Sequence, residues 1–179
     1  EDPEKTRTLL QSLSVYLRTV FQTSKQTEWT LLRTELELTE AFVAIEQQRY
    51  GNRLEVTFDV DEDLLNYLTP PLFLQPLVEN AISHGVLKRT AGGHVMVVIE
   101  EKNNGIQVTV QDNGVGMSLE KITAIFSEKP IGSGIGLANV QKRILRMTKQ
   151  PLTINSDENE GTKISYWIPL ISSKDVNQS

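Results

Sequence analysis

The sequence contains no cysteine, and this absence excludes both a disulfide framework and a thiolate metal site. It also lacks any run of about 18 apolar residues, so no transmembrane helix is expected within it. The net charge of −5 gives no sign of a surface that binds nucleic acid. Its 179 residues are enough for one ordinary domain and an appendage. Because the chain begins without methionine or a signal peptide, we interpret it as a piece of a longer protein.

Apolar residues at helical spacing predict two helices at the start of the chain, over about residues 4–22 and 30–50, joined as a helical hairpin. After Gly51 the pattern changes to the alternation typical of a strand with one buried face. This order predicts an α+β fold, a two-layer sandwich in which helices cover one face of a mixed sheet. The predicted strands cover residues 54–60, 94–102, 106–111, 152–155 and 162–170, and the predicted helices cover residues 72–84, 118–126 and 137–148.

A polar pair, Glu79 and Asn80, interrupts the apolar helix predicted over residues 72–84. A buried amide without a hydrogen-bond partner costs roughly 2–7 kcal/mol, so something must satisfy this pair. An asparagine oxygen is a suitable hard ligand for Mg²⁺, and a neighbouring carboxylate can orient water near the metal. A satisfied pair in the core, or a helix face turned to solvent, is the alternative interpretation.

Asp112 directly follows a predicted strand and begins an Asp-x-Gly-x-Gly segment that contains Gly114 and Gly116. A carboxylate at the end of a strand can accept a hydrogen bond from an exocyclic amine, such as that of adenine. The two glycines allow positive φ angles and a close approach of the backbone to a ligand. The same pattern occurs in plain turns, so this segment alone leaves both interpretations open.

Glycines at Gly132, Gly134 and Gly136 alternate with other residues and lead straight into a helix predicted to begin at Leu137. Backbone N–H groups in such a loop can cradle phosphates, helped by the helix N-terminus. A dinucleotide-binding fingerprint needs the spacing Gly-x-Gly-x-x-Gly after a strand, and neither condition is met. A P-loop is also excluded, because the chain has no Gly-Lys-Ser/Thr sequence.

The order and spacing of these three segments are more specific than any one of them. An asparagine on a helix is followed 32 residues later by Asp-x-Gly-x-Gly and 20 residues after that by Gly-x-Gly-x-Gly. In this the chain resembles the GHKL, or Bergerat-fold, ATPases of gyrase, Hsp90, histidine kinases and MutL. The sequences of residues 45–54, 70–85 and 134–143 narrow the resemblance to the LytS/YesM-type sensor histidine kinases. The similarity extends from the first helix to Pro169.

This resemblance implies roles for the matching residues. Asn80 would coordinate the Mg²⁺ that bridges the ATP phosphates, and Asp112 would pair with the adenine amine. Thr162 would help to hold the base, and His84 would lie near the phosphates, with packing at the helix end as its alternative role. A mobile lid would span about residues 117–133. The other expected ATP-binding positions lie in the two glycine segments: Gly114, Gly116, Gly132, Gly134, Ile135, Gly136 and Leu137.

Two features depart from the family pattern. Many relatives carry a catalytic or metal-linked Glu or Asn one helical turn before the magnesium ligand, where this chain has Pro76. Glu79 is the alternative acid, although it points about 100° away from Asn80 around the helix. The phosphoacceptor motif of the family is missing, since the only two histidines, His84 and His94, lie inside the ATPase part. We therefore expect the chain to bind ATP without phosphorylating itself.

The resemblance divides the chain into three parts. Residues 1–50 would be the remnant of a helical dimerisation and phosphotransfer region, residues 51–170 the ATP-binding catalytic domain, and residues 171–179 a polar tail. It implies a two-component histidine protein kinase that uses ATP and Mg²⁺ and phosphorylates a histidine in an upstream region. Expected partners are a phosphoacceptor domain in cis or in trans, a response regulator and, in the full-length protein, a second copy.

The expected location is the cytoplasmic portion of a bacterial cell-membrane sensor protein. Neither nucleic acid nor membrane contact is expected for this part of it. Alternative functions are a GHKL-type serine kinase or ATPase, and a nucleotide-binding scaffold without catalysis. The presence of Asn80, Asp112 and the three loop glycines argues against the scaffold.

Overall fold

The structure, a computed structural model, describes residues 7, 13, 14, 17, 29–127 and 135–172. Residues 7, 13, 14 and 17 are helical. The rest of the predicted first helix, part of the predicted lid and the predicted tail from residue 173 lie outside the described residues. The helices are α1 (Leu32–Tyr50), α2 (Leu74–Asn80), α3 (Leu119–Ile125) and α4 (Ile135–Thr148). The strands are β1 (Thr30–Leu31), β2 (Leu54–Val60), β3 (Leu68–Thr69), β4 (Gly93–Lys102), β5 (Gly105–Asp112), β6 (Thr153–Asp157) and β7 (Gly161–Pro169).

The main sheet has five strands in the order β2-β4-β5-β7-β6. β2 runs parallel to β4, and the other neighbouring pairs are antiparallel. A crossover through α2 connects the parallel pair, as parallel strands require. Asn103 and Asn104, both at positive φ, form the two-residue turn between β4 and β5. The predicted mixed sheet is confirmed.

The hydrophobic core lies between one face of this sheet and the helices. Alternate residues of a strand point to the same face, and Val95, Val97 and Ile99 of β4 are buried in this way. Helical spacing brings Leu74, Leu77 and Val78 of α2 against that face, and α4 adds its own apolar stripe. The inward-facing residues of the strands and the apolar stripes of the helices thus form one buried cluster, which confirms the predicted two-layer α+β sandwich. The α4 residues of the cluster are Leu137, Val140 and Ile144.

Helix α1 packs on the α+β sandwich and belongs to the same core. Its residues Leu32 and Val43 are buried in the cluster that contains the sheet and α2. Thr30 and Leu31 were expected in this helix, but they form β1, which pairs antiparallel with Leu68 and Thr69. Two residues are too few to show a period, so their pairing with a distant segment had no signal in the sequence. The boundary at residues 50 and 51 remains a prediction.

The helix predicted over residues 72–84 is shorter and less regular than expected. Leu72 has a positive φ of 54°, which is incompatible with a right-handed helix, and α2 begins two residues later. At the other end Ala81–Gly85 forms a turn of π-helix instead of continuing α2. Such wide turns occur mostly as single insertions at functional sites. None of the helices in the described part of the chain combines the length and apolar character needed to span a bilayer.

Candidate functional site

Three polar residues lie in one row across three neighbouring strands. Asp112, the last residue of β5, is paired with Thr162 of β7, and Thr162 is paired with Ser156 of β6. All three residues occupy the helix-covered side of the sheet at the edge where β5 ends. The structure therefore brings together Asp112 and Thr162, as the sequence predicted, and adds Ser156 to them.

Asp112 is a buried carboxylate, only 5% exposed. Its Oδ1 accepts a hydrogen bond of 2.7 Å from the backbone N–H of Gly114, and the backbone N–H of Thr162 also donates to the carboxylate. Burial raises the pKa of Asp112 to about 6, although these two N–H groups and the positive charge of Arg89 act to lower it. A carboxylate buried at this cost retains capacity to accept a further donor, such as the amine of a bound base.

Ser156 connects the row to the loop that follows Asp112. Its Oγ accepts the backbone N–H of Met117 at 2.8 Å, and donates towards the Gly161 carbonyl at 2.8 Å or the Thr162 hydroxyl at 2.9 Å. The hydroxyl thereby fixes the end of the Asp-x-Gly-x-Gly loop onto β6 and β7. Nothing in the sequence marks Ser156 as a site residue, because a single serine in a short strand carries no distinguishing signal.

The loop after Asp112 passes so close to the π turn that side chains cannot fit between them. A β-carbon on Gly114 would lie 2.1 Å from the carbonyl carbon of Gly85, and one on Gly85 would lie 2.6 Å from Asp112 Oδ1. Gly116 has a φ of 67°, and a β-carbon there would lie 1.9 Å from the Asp157 carbonyl oxygen. These glycines approach other backbone segments of the chain, and the expected close approach of Gly114 and Gly116 to a ligand stays a prediction. Gly85 is an additional member of the site.

Asn80 is the last residue of α2 and directly precedes the π turn. It is half-buried, and its side chain has no hydrogen-bond partner among the residues that the structure describes. Glu79 is exposed and accepts a hydrogen bond of 3.2 Å from Gln75, one helical turn earlier. His84 is also exposed. Within the described part of the chain the Asn80 side chain is therefore without a partner, whereas Glu79 is turned towards solvent and Gln75.

The second glycine segment lies only partly within the described residues. Gly132 and Gly134 lie outside them, while Ile135 begins α4. Gly136 is exposed, and a β-carbon there would meet nothing within 4 Å. The Leu137 side chain is buried in the core, so only its backbone is available to a ligand. The phosphate-binding role of this segment remains a prediction.

An open cleft of about 460 Å³ lies beside the polar row. The side chains of Met117 and Ser156 form part of its wall, and α3 covers it with Leu119 and Ile122. Its surface mixes apolar groups with hydroxyl and carboxylate groups, as ligand-binding clefts commonly do. Ser156 is the residue of the polar row that lines the cleft, whereas Asp112, Thr162 and Asn80 are not among its lining residues. The buried carboxylate and the hydroxyl pair suit a ligand with an amino-bearing base.

Comparison with known protein families agrees with this geometry. Residues 70–172 match the family model for histidine kinase-, DNA gyrase B- and HSP90-like ATPases. Residues 1–54 match the histidine kinase family model. The first match covers more than half of the chain, so the chain belongs to the family of histidine kinase-, DNA gyrase B- and HSP90-like ATPases.

The chain is also similar to individual sensor histidine kinases. It is 36% identical over 168 residues to the sensor histidine kinase YpdA of Escherichia coli, and 35% identical over 175 residues to the sensor protein LytS of Staphylococcus saprophyticus. Each alignment covers 94% of this chain but 29% of the relative. The chain therefore spans less than a third of these curated relatives. The resemblance to LytS-type sensor histidine kinases is confirmed.

Solved structures show the same fold. The histidine kinase domain of the blue-light activated histidine kinase from Erythrobacter litoralis superposes with a TM-score of 0.60 and 16% sequence identity. The superposition covers 99% of this chain and 78% of that domain. The two-layer sandwich described above is therefore the fold of histidine kinase catalytic domains.

Proposed function

We propose that this chain binds Mg²⁺-ATP and is the catalytic part of a two-component sensor histidine kinase, with the phosphoacceptor histidine in another region of the whole protein. The observation that carries the proposal is the buried Asp112 carboxylate, aligned across the sheet with Thr162 and with Ser156, which lines an open cleft. The match of residues 1–54 to histidine kinases favours this function over a serine kinase or a free-standing ATPase of the same superfamily.

The residues of the site suit the two ends of ATP. Asp112 would accept the adenine amine, because a buried carboxylate with a raised pKa gains from an added donor. Thr162 and Ser156 hold the loop beneath the base, and Gly85, Gly114 and Gly116 let the backbone approach it. Binding the base in this way would orient the phosphates towards the π turn and the start of α4.

The phosphate end is proposed to lie between Asn80 and the loop of Gly132, Gly134, Ile135 and Gly136. Mg²⁺ usually takes only one or two ligands from a protein and the rest from phosphates and water, so the single carboxamide of Asn80 is sufficient. No group of three acidic or histidine side chains that suits a metal is found in the described part of the chain. When bound, Mg²⁺ would neutralise charge on the phosphates during transfer. His84 and Glu79 are proposed as weaker members of this end.

The remaining functional assignments are proposals for the whole protein. Residues 1–50 would belong to the helical dimerisation region, residues 51–170 to the catalytic domain and residues 171–179 to a polar tail. The whole protein would act as a membrane sensor, dimerise and pass its phosphoryl group to a response regulator. The names of the related sensor proteins support this placement.

Phosphoryl transfer from γ-labelled ATP tests the proposal. The chain alone should remain unlabelled, because His84 and His94 are not expected to be acceptors. A histidine-containing segment from the part of YpdA that this chain does not cover should become labelled when it is added. The variant Asp112→Asn should abolish that labelling. Stable phosphohistidine on the chain alone, or rapid ATP hydrolysis without any transfer, would contradict the proposal.

A further inference from the structure

A short segment at Pro71–Leu74, which leads into α2, is held by charged side chains from two other helices. Leu72 in this segment has a φ of 54°, a conformation that is unfavourable for residues other than glycine. The surrounding structure must therefore stabilise it. Glu35 of α1 and Arg143 of α4 supply the contacts, and we call these two side chains and the segment between them the clamp.

Glu35 lies in the first turn of α1 and is completely buried, at 0% exposure. Its two carboxylate oxygens accept the backbone N–H groups of Leu72 at 2.7 Å, Phe73 at 3.0 Å and Leu74 at 3.3 Å. The first N–H groups of a helix have no partner within that helix, and α2 has no capping side chain of its own. A carboxylate from a different helix therefore caps the N-terminus of α2.

Arg143 holds the same segment from the opposite side. It lies on α4, is half-buried, and its Nη1 donates to the carbonyl oxygens of Pro71 and Leu72, the latter at 3.4 Å. Its positive charge also acts on Glu35, where it opposes the rise in pKa that burial causes. Glu35 thus accepts hydrogen bonds from the N–H groups of the segment, Arg143 donates to its carbonyl groups, and together they fix one backbone stretch.

The clamp joins parts of the chain that belong to different family matches. Glu35 lies within residues 1–54, which match histidine kinases, whereas Arg143 and α2 lie within the ATPase match of residues 70–172. Asn80 lies at the far end of α2, and α4 begins inside the second glycine segment. A shift of α1 that moved Glu35 would therefore act on both elements that are assigned to the phosphates.

We propose that Glu35 and Arg143 are positioning residues for the phosphate end of the nucleotide site, and that they couple the orientation of α1 to Asn80 and to the start of α4. The proposal rests on the function given above, in which those two elements hold the phosphates. It assigns no direct nucleotide contact to either residue. The hydrogen bonds described for Glu35 and Arg143 go to Pro71–Leu74 and not to the base end, where Asp112 lies on the strands.

This division between the two ends of the site makes the proposal testable with two ligands. Adenosine reports on the base end alone, and ADP with Mg²⁺ reports on both ends. The Kd of each ligand is measured by NMR titration of the 179-residue chain. The variants are Glu35→Gln, which keeps the size of the side chain but turns an amide towards three N–H groups, and Arg143→Gln. Glu37→Gln, at an exposed position on the same helix, is the matched control.

In the wild-type chain, Mg²⁺-ADP should bind more tightly than adenosine. Each clamp variant should reduce this preference by about tenfold, while its adenosine Kd stays within about twofold of the wild-type value. Glu37→Gln should preserve both affinities. If circular dichroism shows that Glu35→Gln does not fold, Arg143→Gln decides the question. Arg143 is partly exposed, and this variant should show the same loss of preference for Mg²⁺-ADP.

Two results would overturn the proposal. Equal losses for both ligands would assign the clamp to general stability alone, and an unchanged preference in folded variants would show that it does not position the phosphate end. A wild-type chain that binds adenosine but does not prefer Mg²⁺-ADP would instead refute the proposed phosphate site, and the clamp's role would fail with it. The wild-type measurement therefore separates the two failures.

Discussion

Gly85 and Asp112 are in such close contact that only glycine fits at position 85. A β-carbon at that position would lie 2.6 Å from Asp112 Oδ1 and 2.8 Å from Asp112 Cγ, closer than non-bonded atoms approach. Gly85 ends the π turn that follows Asn80, whereas Asp112 ends a central strand. The contact between the Gly85 backbone and the Asp112 side chain thus joins the two proposed ends of the nucleotide site. A single methyl group added at position 85 would disturb it.

The substitution Gly85→Ala should therefore displace the Asp112 carboxylate. We expect a loss of stability of about 1–3 kcal/mol, as is usual for overpacking, and a loss of adenosine affinity of at least about tenfold. Gly51→Ala is the control, since Gly51 has a positive φ of 56° but no atom within 4 Å of its β-carbon position. It should cost about 1–2 kcal/mol through backbone strain without changing adenosine affinity. Equal effects of both variants on binding would contradict the contact.

The ionisation of Asp112 should be measurable directly. Burial raises its pKa from 3.8 to about 6, so the folded chain keeps a proton that the unfolded chain has already released. This contribution to stability is fully present below about pH 4 and is lost as the pH rises through 6, a change on the order of 3 kcal/mol. A pH titration followed by carbon-13 NMR of the aspartate carboxyl groups should show one carboxyl group, that of Asp112, with a titration midpoint near pH 6.

Adenosine should lower that midpoint, because an amine that donates to the carboxylate favours its ionised form. Adenosine affinity should accordingly weaken as the pH falls below about 6, and the dependence should be absent in Asp112→Asn. A midpoint near 4 in the free chain, or a midpoint that saturating adenosine leaves unchanged, would contradict this account of the carboxylate.

Ser156 should stabilise the loop that contains Gly116 and Met117. Removing its hydroxyl in Ser156→Ala leaves the Met117 N–H without its acceptor. This should lower the free energy of unfolding by about 1–3 kcal/mol and weaken nucleotide binding. Ser165→Ala is the matched control, because that serine pairs with Thr109 at 3.1 Å away from the loop. The control should lose less stability and keep its nucleotide affinity. Urea unfolding and calorimetric titration measure both quantities, and equal binding losses would exclude a specific role for Ser156.

The Tyr166 hydroxyl is buried without a hydrogen-bond partner among the described residues. Its ring packs edge-on against Phe73 with the ring centroids 4.8 Å apart, so the ring and not the hydroxyl supplies the favourable contacts. Tyr166→Phe should therefore leave the free energy of unfolding unchanged or raise it by about 1 kcal/mol. A loss of more than about 1 kcal/mol would show that the hydroxyl has a partner in solution, such as a buried water.

The sequence predicted the regular elements well where a period extended over several residues. The alternation in Leu54–Val60 predicted β2 with its observed bounds, and the strands predicted over residues 94–102 and 106–111 match β4 and β5 to within one residue at each end. β1 and β3 were missed because each has two residues and depends on the other for its hydrogen bonds. The π turn was missed because its residues continue the apolar pattern of α2.

The candidate site was predictable only where a motif marks it. Asp112 and Thr162 were placed together correctly, because their segments resemble a family whose site is known. Glu35 had no such signal, since a glutamate within a helix is usually exposed, and its burial arises only when α1 packs on Pro71–Leu74. Arg143 lies in the segment of residues 134–143 that carries the resemblance, but nothing in the sequence indicates that its side chain reaches Pro71 and Leu72.

Calorimetric titration with Mg²⁺-ATP and Mg²⁺-GTP tests the central claim, that Asp112 forms the base end of an ATP site, most directly. Guanine presents a carbonyl where adenine presents its amine, so the wild-type chain should bind ATP in preference to GTP. Asp112→Asn should remove that preference, and Asn80→Asp should alter the Mg²⁺ dependence while the preference for adenine remains. Equal binding of ATP and GTP by the wild-type chain, or an unchanged preference in Asp112→Asn, would contradict the account.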